Sequence, residues 1–282
     1  MGTGREKERL ASLSSHWALV DGCRMHYRAA GVGRQPLVLV HGLSVSGHYL
    51  LPTAAELLDD FAVYVPDLPG FGASEKPRRV LDIAEMADVL RAWMDVVGLE
   101  RAYFLGNSLG CHTVAAAAGR HRERVAGAIL VSPVGDPGGR NMLRLAARAS
   151  NDFVREPWSL WAIMLRDYLK AGLRRTVLTL RNLQQWRLEA LLPQVEVPAL
   201  VVGGGQDRIV PVSWIGRVTA LLPQARVAMI KEAGHVSNFS HPAQLAALVR
   251  AFVESEDERR VDRDSIATWS KQGFQSSSTL QK

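Results

Sequence analysis

The sequence predicts a mostly parallel, doubly wound α/β sheet interrupted once by an inserted helical lid. Three observations predict it. Short apolar, β-branched runs recur along the chain, helical patterns with leucine and valine at three- and four-residue spacing alternate with them, and the alternation lapses between residues 133 and 192. Strands buried on both faces are apolar at nearly every position, and these runs have that character.

In chain order, Trp17 to Ala29 flank Asp21-Gly22, a favoured two-residue turn, so a hairpin opens the fold. Leu37 to Val40, Ala62 to Val65, Ala102 to Leu105, Ala128 to Val131, Ala199 to Val202 and Arg226 to Ile230 are expected as central strands. Thr53 to Leu58, Ile83 to Val97, Leu109 to His121, Val212 to Leu222 and Gln244 to Val253 are expected as helices. Residues 133–192 hold no convincing strand; Gly138-Gly139, Pro157 and Pro193 punctuate arginine-rich amphipathic sequence there, which reads as the lid. The core is then residues 17–132 and 193–253. Residues 1–16 and 254–282, the latter with Glu254 to Arg260 and Ser276-Ser277-Ser278, are poor in hydrophobes and are expected to be flexible termini.

The bulk numbers limit the function. A chain of 282 residues, 47% hydrophobic and 22% charged, is an ordinary globular protein with room for one catalytic domain and its insertion. The net charge of +6 is carried by scattered arginines with no basic block, so a nucleic-acid partner is not expected. Cys23 and Cys111 supply neither a disulfide framework nor metal-ligand spacing, and no metal or cofactor is expected. No window approaches the roughly twenty apolar residues of a membrane span. Met1 to Leu10 is charged and lacks the apolar stretch of a secretory signal, so a cytoplasmic location is expected. Oligomeric state is left open.

The chemistry starts at Gly106-Asn107-Ser108-Leu109-Gly110, set between a strand and a helix. A serine on such a sharp turn is a nucleophile elbow, where flanking glycines let backbone pack closely and the helix N-terminus favours developing negative charge. A hydroxyl needs a base, and the base needs a third group to fix its tautomer. Asp207, after the glycine-rich end of strand Ala199 to Val202, is the acid; an N-cap or Asx-turn role is its alternative. Asp136 is a rival acid, in a Gly/Pro-rich setting that reads as a turn opening the lid. His235, between the last strand and the last helix, is the base. The backbone N–H groups of Leu43 and Leu109 are the expected oxyanion donors. His41 reads as a structural histidine bonding loop backbone. Ser44, Trp158, Trp161 and Val236 are candidate substrate contacts.

Taken together, His41-Gly42, Pro66-Asp67-Leu68-Pro69-Gly70-Phe71-Gly72-Ala73-Ser74, the elbow, Asp207-Arg208-Ile209-Val210-Pro211 and Ala233-Gly234-His235 resemble the α/β-hydrolase superfamily over about Trp17 to Val253. The resemblance implies that fold, a small-molecule ester-like substrate, a structural rather than catalytic Asp67, and no cofactor. Serine at the elbow departs from the dehalogenase and epoxide-hydrolase branches, which use aspartate. Gly106-Asn107-Ser108 is shared with the branch that cleaves carbon–carbon bonds of ring-fission diketones, although Val236 stands where that branch usually has tryptophan. Phe239-Ser240-His241-Pro242 lacks the acid that relatives often place before the proline, and the elbow ends in Gly110-Cys111 rather than two glycines.

The expected function is hydrolysis of a carboxylic ester or lactone through an acyl-enzyme. Carbon–carbon bond hydrolysis with the same three residues and a non-catalytic ligand-binding relative are the alternatives. The lid carries ten basic residues against five acidic ones, together with Phe153, Trp158, Trp161, Met164, Tyr168 and Trp186. These read either as a site for an apolar acyl or aromatic ester bearing an anionic group, or as a solvated face over a lid core.

Overall fold

The computed structural model describes residues 4–33, 35–140, 148 and 156–276. Eight strands form one sheet in the order β1-β2-β4-β3-β5-β6-β7-β8. They are β1 (Ser14–Val20), β2 (Cys23–Ala30), β3 (Gln35–Val40), β4 (Phe61–Pro66), β5 (Ala102–Asn107), β6 (Val125–Val131), β7 (Ala199–Gly204) and β8 (Ala225–Ile230). From β4 to β8 every neighbouring pair is parallel, and β2 runs antiparallel to both β1 and β4. Asp21 and Gly22 both take positive φ, 48° and 78°, which is the backbone that a two-residue hairpin turn demands.

Alternation along the strands feeds two cores. Leu37, Leu39, Leu105, Ile129 and Val202 face α2 (Leu51–Leu57) and the early part of the C-terminal helix. Val38, Val40, Phe104, Leu130 and Val201 face α3 (Ile83–Val96) and α4 (Gly110–Arg120), where Met86, Leu90, Trp93 and Val114 are buried. A period of two sends neighbouring residues to opposite faces, so a strand covered on both sides is apolar throughout. Asp82 opens α3 with a capping box: its side chain accepts from the Glu85 N–H while Glu85 reaches back to the Asp82 N–H.

Two expectations are corrected here. The run Arg226 to Ile230 is expected as a central strand, but β8 lies at the edge and leaves Val227 and Met229 exposed, because an apolar run does not by itself report how many neighbours it has. The terminal stretches 1–16 and 254–282 are expected to be flexible; instead α1 spans Gly4–Ser12, and the C-terminal helix runs from Pro242 to Ser276. Arg9 pairs with Asp59 beside α2, and Glu256 takes Arg226 of β8 and Arg259 one turn on, both at 2.9 Å. Charged residues of good helix propensity replace the missing hydrophobic signal.

Between β6 and β7 the described residues form helices and loops and no strand. Helices α5 (Trp158–Ala171), α6 (Leu173–Gln185) and α7 (Leu188–Leu191) precede a turn of 3-10 helix into β7. The rest of the chain adds α8 (Val212–Leu221), α9 (Ser237–Ser240) and the long helix already given, α10.

The loop after β4 is held by the buried carboxylate of Asp67. It accepts hydrogen bonds from the Gly47 N–H (2.7 Å), the Ala73 N–H (2.8 Å) and, at 2.9 Å, His26 Nδ1 of β2. Burial pushes this carboxyl upward, but the His26 hydrogen bond, the neighbouring His41 and the two amides outweigh it and hold Asp67 below the ordinary aspartate value. Its contribution is therefore complete above the unfolded-chain pKa of about 3.9 and is lost as pH falls through the lower folded value. Asp67→Asn should lower the unfolding free energy by about 2–3 kcal/mol at neutral pH. Urea unfolding followed into acid should show the gap between wild type and variant closing as pH drops below about 4.

Candidate active site

β5 ends in the elbow. Ser108 takes φ 57°, a left-handed conformation that an ordinary side chain rarely adopts, and its N–H donates to Val131 O at 3.0 Å. The turn is too tight for side chains on either flank. A Cβ on Gly106 would stand 2.5 Å from the Gly110 backbone, and one on Gly110 would stand 2.3 Å from Val40 O. The Ser108 hydroxyl is thereby carried on the rim where the parallel strands end, at the start of α4.

Asp207 and His235 come to the same rim from the ends of β7 and β8. His235 Nδ1 lies 3.0 Å from Asp207 Oδ2, and both side chains are largely buried. The other Asp207 oxygen accepts from the amides of Ile209 and Val210, both at 2.8 Å. Burial raises the Asp207 pKa, yet His235 and the Val210 amide bring it below the usual aspartate range. The Ser132 hydroxyl stands beside this carboxylate without reaching hydrogen-bond geometry. Glycines make the approach of the two loops feasible, since a Cβ on Gly204 would meet the carbonyl oxygens of Gly234 and Ala233 at 2.4 and 2.5 Å. The rival Asp136 is turned elsewhere: both its oxygens meet Arg148 Nη1, at 3.0 and 2.9 Å.

Two residues to which the sequence assigns no role of their own tie the loops together. Asn107, buried beside Ser108, donates from Nδ2 to Val131 O and to His235 O, both at 3.3 Å. Its Oδ1 accepts from the Tyr49 hydroxyl at 2.7 Å, and that hydroxyl accepts from the Gly42 N–H at 2.9 Å. The Tyr49 carbonyl accepts from Asn238 of α9, just after His235. Asn107 was visible as the variable position of the elbow, whereas nothing in the pattern around Tyr49 marks it.

The loop after β3 lies against Ser108: a Cβ on Gly42 would be 3.3 Å from Ser108 Cβ. His41 Nε2 accepts from the Leu68 N–H at 2.9 Å, leaving Nδ1–H to donate to Gly42 O at 2.9 Å. Both ring nitrogens are thus committed to loop backbone, and burial holds the imidazole pKa down. The amides of Leu43 and Leu109 donate to no protein acceptor among the described residues. Ser44, also at positive φ, donates from its hydroxyl to Thr176 Oγ1 of α6 at 2.9 Å. Ser46 donates from its amide (2.9 Å) and its hydroxyl (2.5 Å) to the buried carboxylate of Asp167 on α5. The inserted helices are therefore fastened directly to this loop.

Of the expected substrate contacts, Ser44 is buried in that junction and Val236 is packed into the core beside α10. Trp158 is exposed on the outer side of α5, with its ring 6.1 Å from that of Trp161. Phe153 falls outside the described residues. Among the described residues no cluster of three or more His, Cys, Asp or Glu is placed to hold a metal ion, and no helix is long and apolar enough to cross a membrane. A separate cleft of about 600 Å³, lined by Arg101, Tyr103, Arg122, Glu196 and Asp257, lies at the opposite rim where the strands begin.

Comparison with known proteins places the chain in a family. The chain is 28% identical to the dihydrolipoyllysine-residue acetyltransferase component of an acetoin cleaving system from Cupriavidus necator, over 86% of this chain and 70% of that one. It spans 65% of the corresponding component from Pseudomonas putida. It is 27% identical to a 2-hydroxy-6-oxononadienedioate/2-hydroxy-6-oxononatrienedioate hydrolase from Paraburkholderia phymatum, over 86% and 96% of the two chains. Among solved structures it is similar to a membrane phospholipase A described as a bacterial virulence factor, with TM-score 0.78 and 28% identity over 90% of each chain. The sequence profile of the alpha/beta hydrolase family matches residues 37–248, most of the length given, and the chain belongs to that family.

Proposed function

We propose that the protein is a serine hydrolase that cleaves a carboxylic ester or lactone through an acyl-enzyme. The observation that carries this reading is the Asp207–His235 hydrogen bond, made at the rim that presents Ser108 on a left-handed turn. With Nδ1–H engaged by an ionised Asp207, the imidazole keeps Nε2 as a lone-pair base. Nε2 takes the Ser108 proton as the oxygen attacks the acyl carbon, then returns it to the departing alcohol. Water enters by the same route in reverse and releases the acid. Contacts between a nucleophilic hydroxyl and its base tighten when substrate is bound.

The uncommitted Leu43 and Leu109 amides are suited to the oxyanion, since donors aimed at developing charge need no reorganisation during the reaction. Residues 133–192 act as the lid, fastened by Asp167 and Thr176 to the loop that carries Leu43. The substrate is a small ester-like molecule with an apolar acyl or aromatic part, bound beneath this lid. Similarity to a phospholipase and to a ring-fission hydrolase is compatible with ester and with carbon–carbon cleavage. The second reading retains Asn107 next to Ser108 as its sequence support and uses the same nucleophile.

A fluorophosphonate probe should form an adduct on Ser108 of the folded protein and none on Ser108→Ala; absence of an adduct on the wild type would favour a ligand-binding relative. With a short-chain nitrophenyl ester, Ser108→Ala should lower kcat by at least about a thousandfold and Asp207→Asn by about three to four orders of magnitude. Faster turnover of a ring-fission diketone than of any ester would select the second reading.

Asp167→Ala should cut kcat by about ten- to a hundredfold while changing KM little, because the loop bearing the Leu43 amide loses its anchor. Steady-state kinetics on the short ester measure this. An unchanged kcat would separate the lid from the oxyanion loop.

A further inference from the structure

The inserted helices have two apolar sides. On α5, Leu160 and Ala171 face the core with Asp167 among them. Trp158, Leu165 and Leu169 face solvent, exposed by 87%, 64% and 74%. At 3.6 residues per turn these three fall on one stripe within about 40° of one another, opposite the buried residues. Leu173, 80% exposed, and Val177 extend the apolar surface onto α6. A lone exposed leucine needs no account, but a contiguous row of large side chains on adjoining helices marks a contact surface.

The charges around the stripe are of one sign. Lys170 flanks it on α5 beside Arg166, whose guanidinium is paired with Asp167 at 2.8 Å, while Arg174 and Arg181 lie on α6, and all four are exposed. From Trp158 to Gln185 the only acidic residue is Asp167, which is buried against Ser46. A second copy docking on the same patch through a two-fold axis would bring these cations against their own equivalents, with no exposed carboxylate in these helices to answer them. Apolar side chains that include a tryptophan, rimmed by cations, fit the interface of an anionic lipid bilayer, where the hydrocarbon side enters the headgroup boundary and the cations meet phosphate.

We infer that the outer face of α5 and α6 is a docking surface for anionic phospholipid membranes, which the protein engages peripherally through Trp158, Leu165, Leu169 and Leu173 with Lys170, Arg174 and Arg181 at the rim. The site holds without reference to the reaction catalysed beneath it. Co-sedimentation of the full chain with phosphatidylcholine vesicles, with and without phosphatidylglycerol, tests it at low and high salt.

The wild type should bind the phosphatidylglycerol vesicles and be released by salt. The double variant Leu165→Glu/Leu169→Glu should partition about tenfold less, as should the charge reversal Lys170→Glu/Arg174→Glu, with circular dichroism and melting temperature reporting an intact fold. If the leucine variant does not fold, the charge reversal, which leaves the packing untouched, decides alone. Equal partition of wild type and folded variants, or equal binding to vesicles with and without phosphatidylglycerol, would overturn the inference. So would a dimer in sedimentation velocity that a folded variant dissociates.

Discussion

The geometry of the rim depends on the side chain of Asn107. One carboxamide, buried next to Ser108, joins the ends of β5 and β6, the loop that bears His235, and through the Tyr49 hydroxyl the loop that bears Gly42 and Leu43. Three loops distant in sequence are thus referenced to the residue beside Ser108 rather than to one another. Such a network is cooperative in its cost. Removing one partner leaves the others buried and unsatisfied, and each loses more than a single hydrogen bond is worth in water.

The sheet was legible in the sequence because double-sided burial leaves a local trace. Leu37 to Val40 is apolar at successive positions only because α2 and α3 cover opposite faces, and Ser108 was legible because strand, turn glycines and helix stand in one short stretch. β8 shows the limit of such a trace: Val227 and Met229 are as apolar as interior residues, and they form an edge only because no strand among the described residues pairs beyond them. The helix from Pro242 to Ser276 has no such trace beyond Val253 for the opposite reason, since the turn from Glu256 to Arg259 has charge pairing in place of an apolar stripe.

At the site the limit lies in sequence separation. The pairing of Asp207 with His235 follows from where their strands end, so strand order alone brings it within reach of sequence reasoning. The contact between Ser46 and Asp167 joins residues 121 positions apart, and neither sits in a motif. Tyr49 is equally silent, because an aromatic residue in a short helical stretch reads as core. It is indeed core, with only its hydroxyl placed to act on Gly42 and Asn107.

The inserted helices bring these threads together. A helix that meets a protein core on one side and water on the other shows a single apolar stripe, and the arginine-rich sequence of residues 133–192 invites that interpretation. α5 has apolar side chains on both sides, and a polar anchor, Asp167, lies on its inner one. A buried carboxylate bonded to backbone and hydroxyl at once fixes the rotation of the helix about its axis far more closely than apolar packing alone, which tolerates slippage. Rotation by one residue, about 100°, would withdraw Asp167 from Ser46 and carry the Leu165–Leu169 stripe off the solvent-facing side. The same contact that holds the loop beside Ser108 therefore also determines which way the outer apolar face of the molecule points.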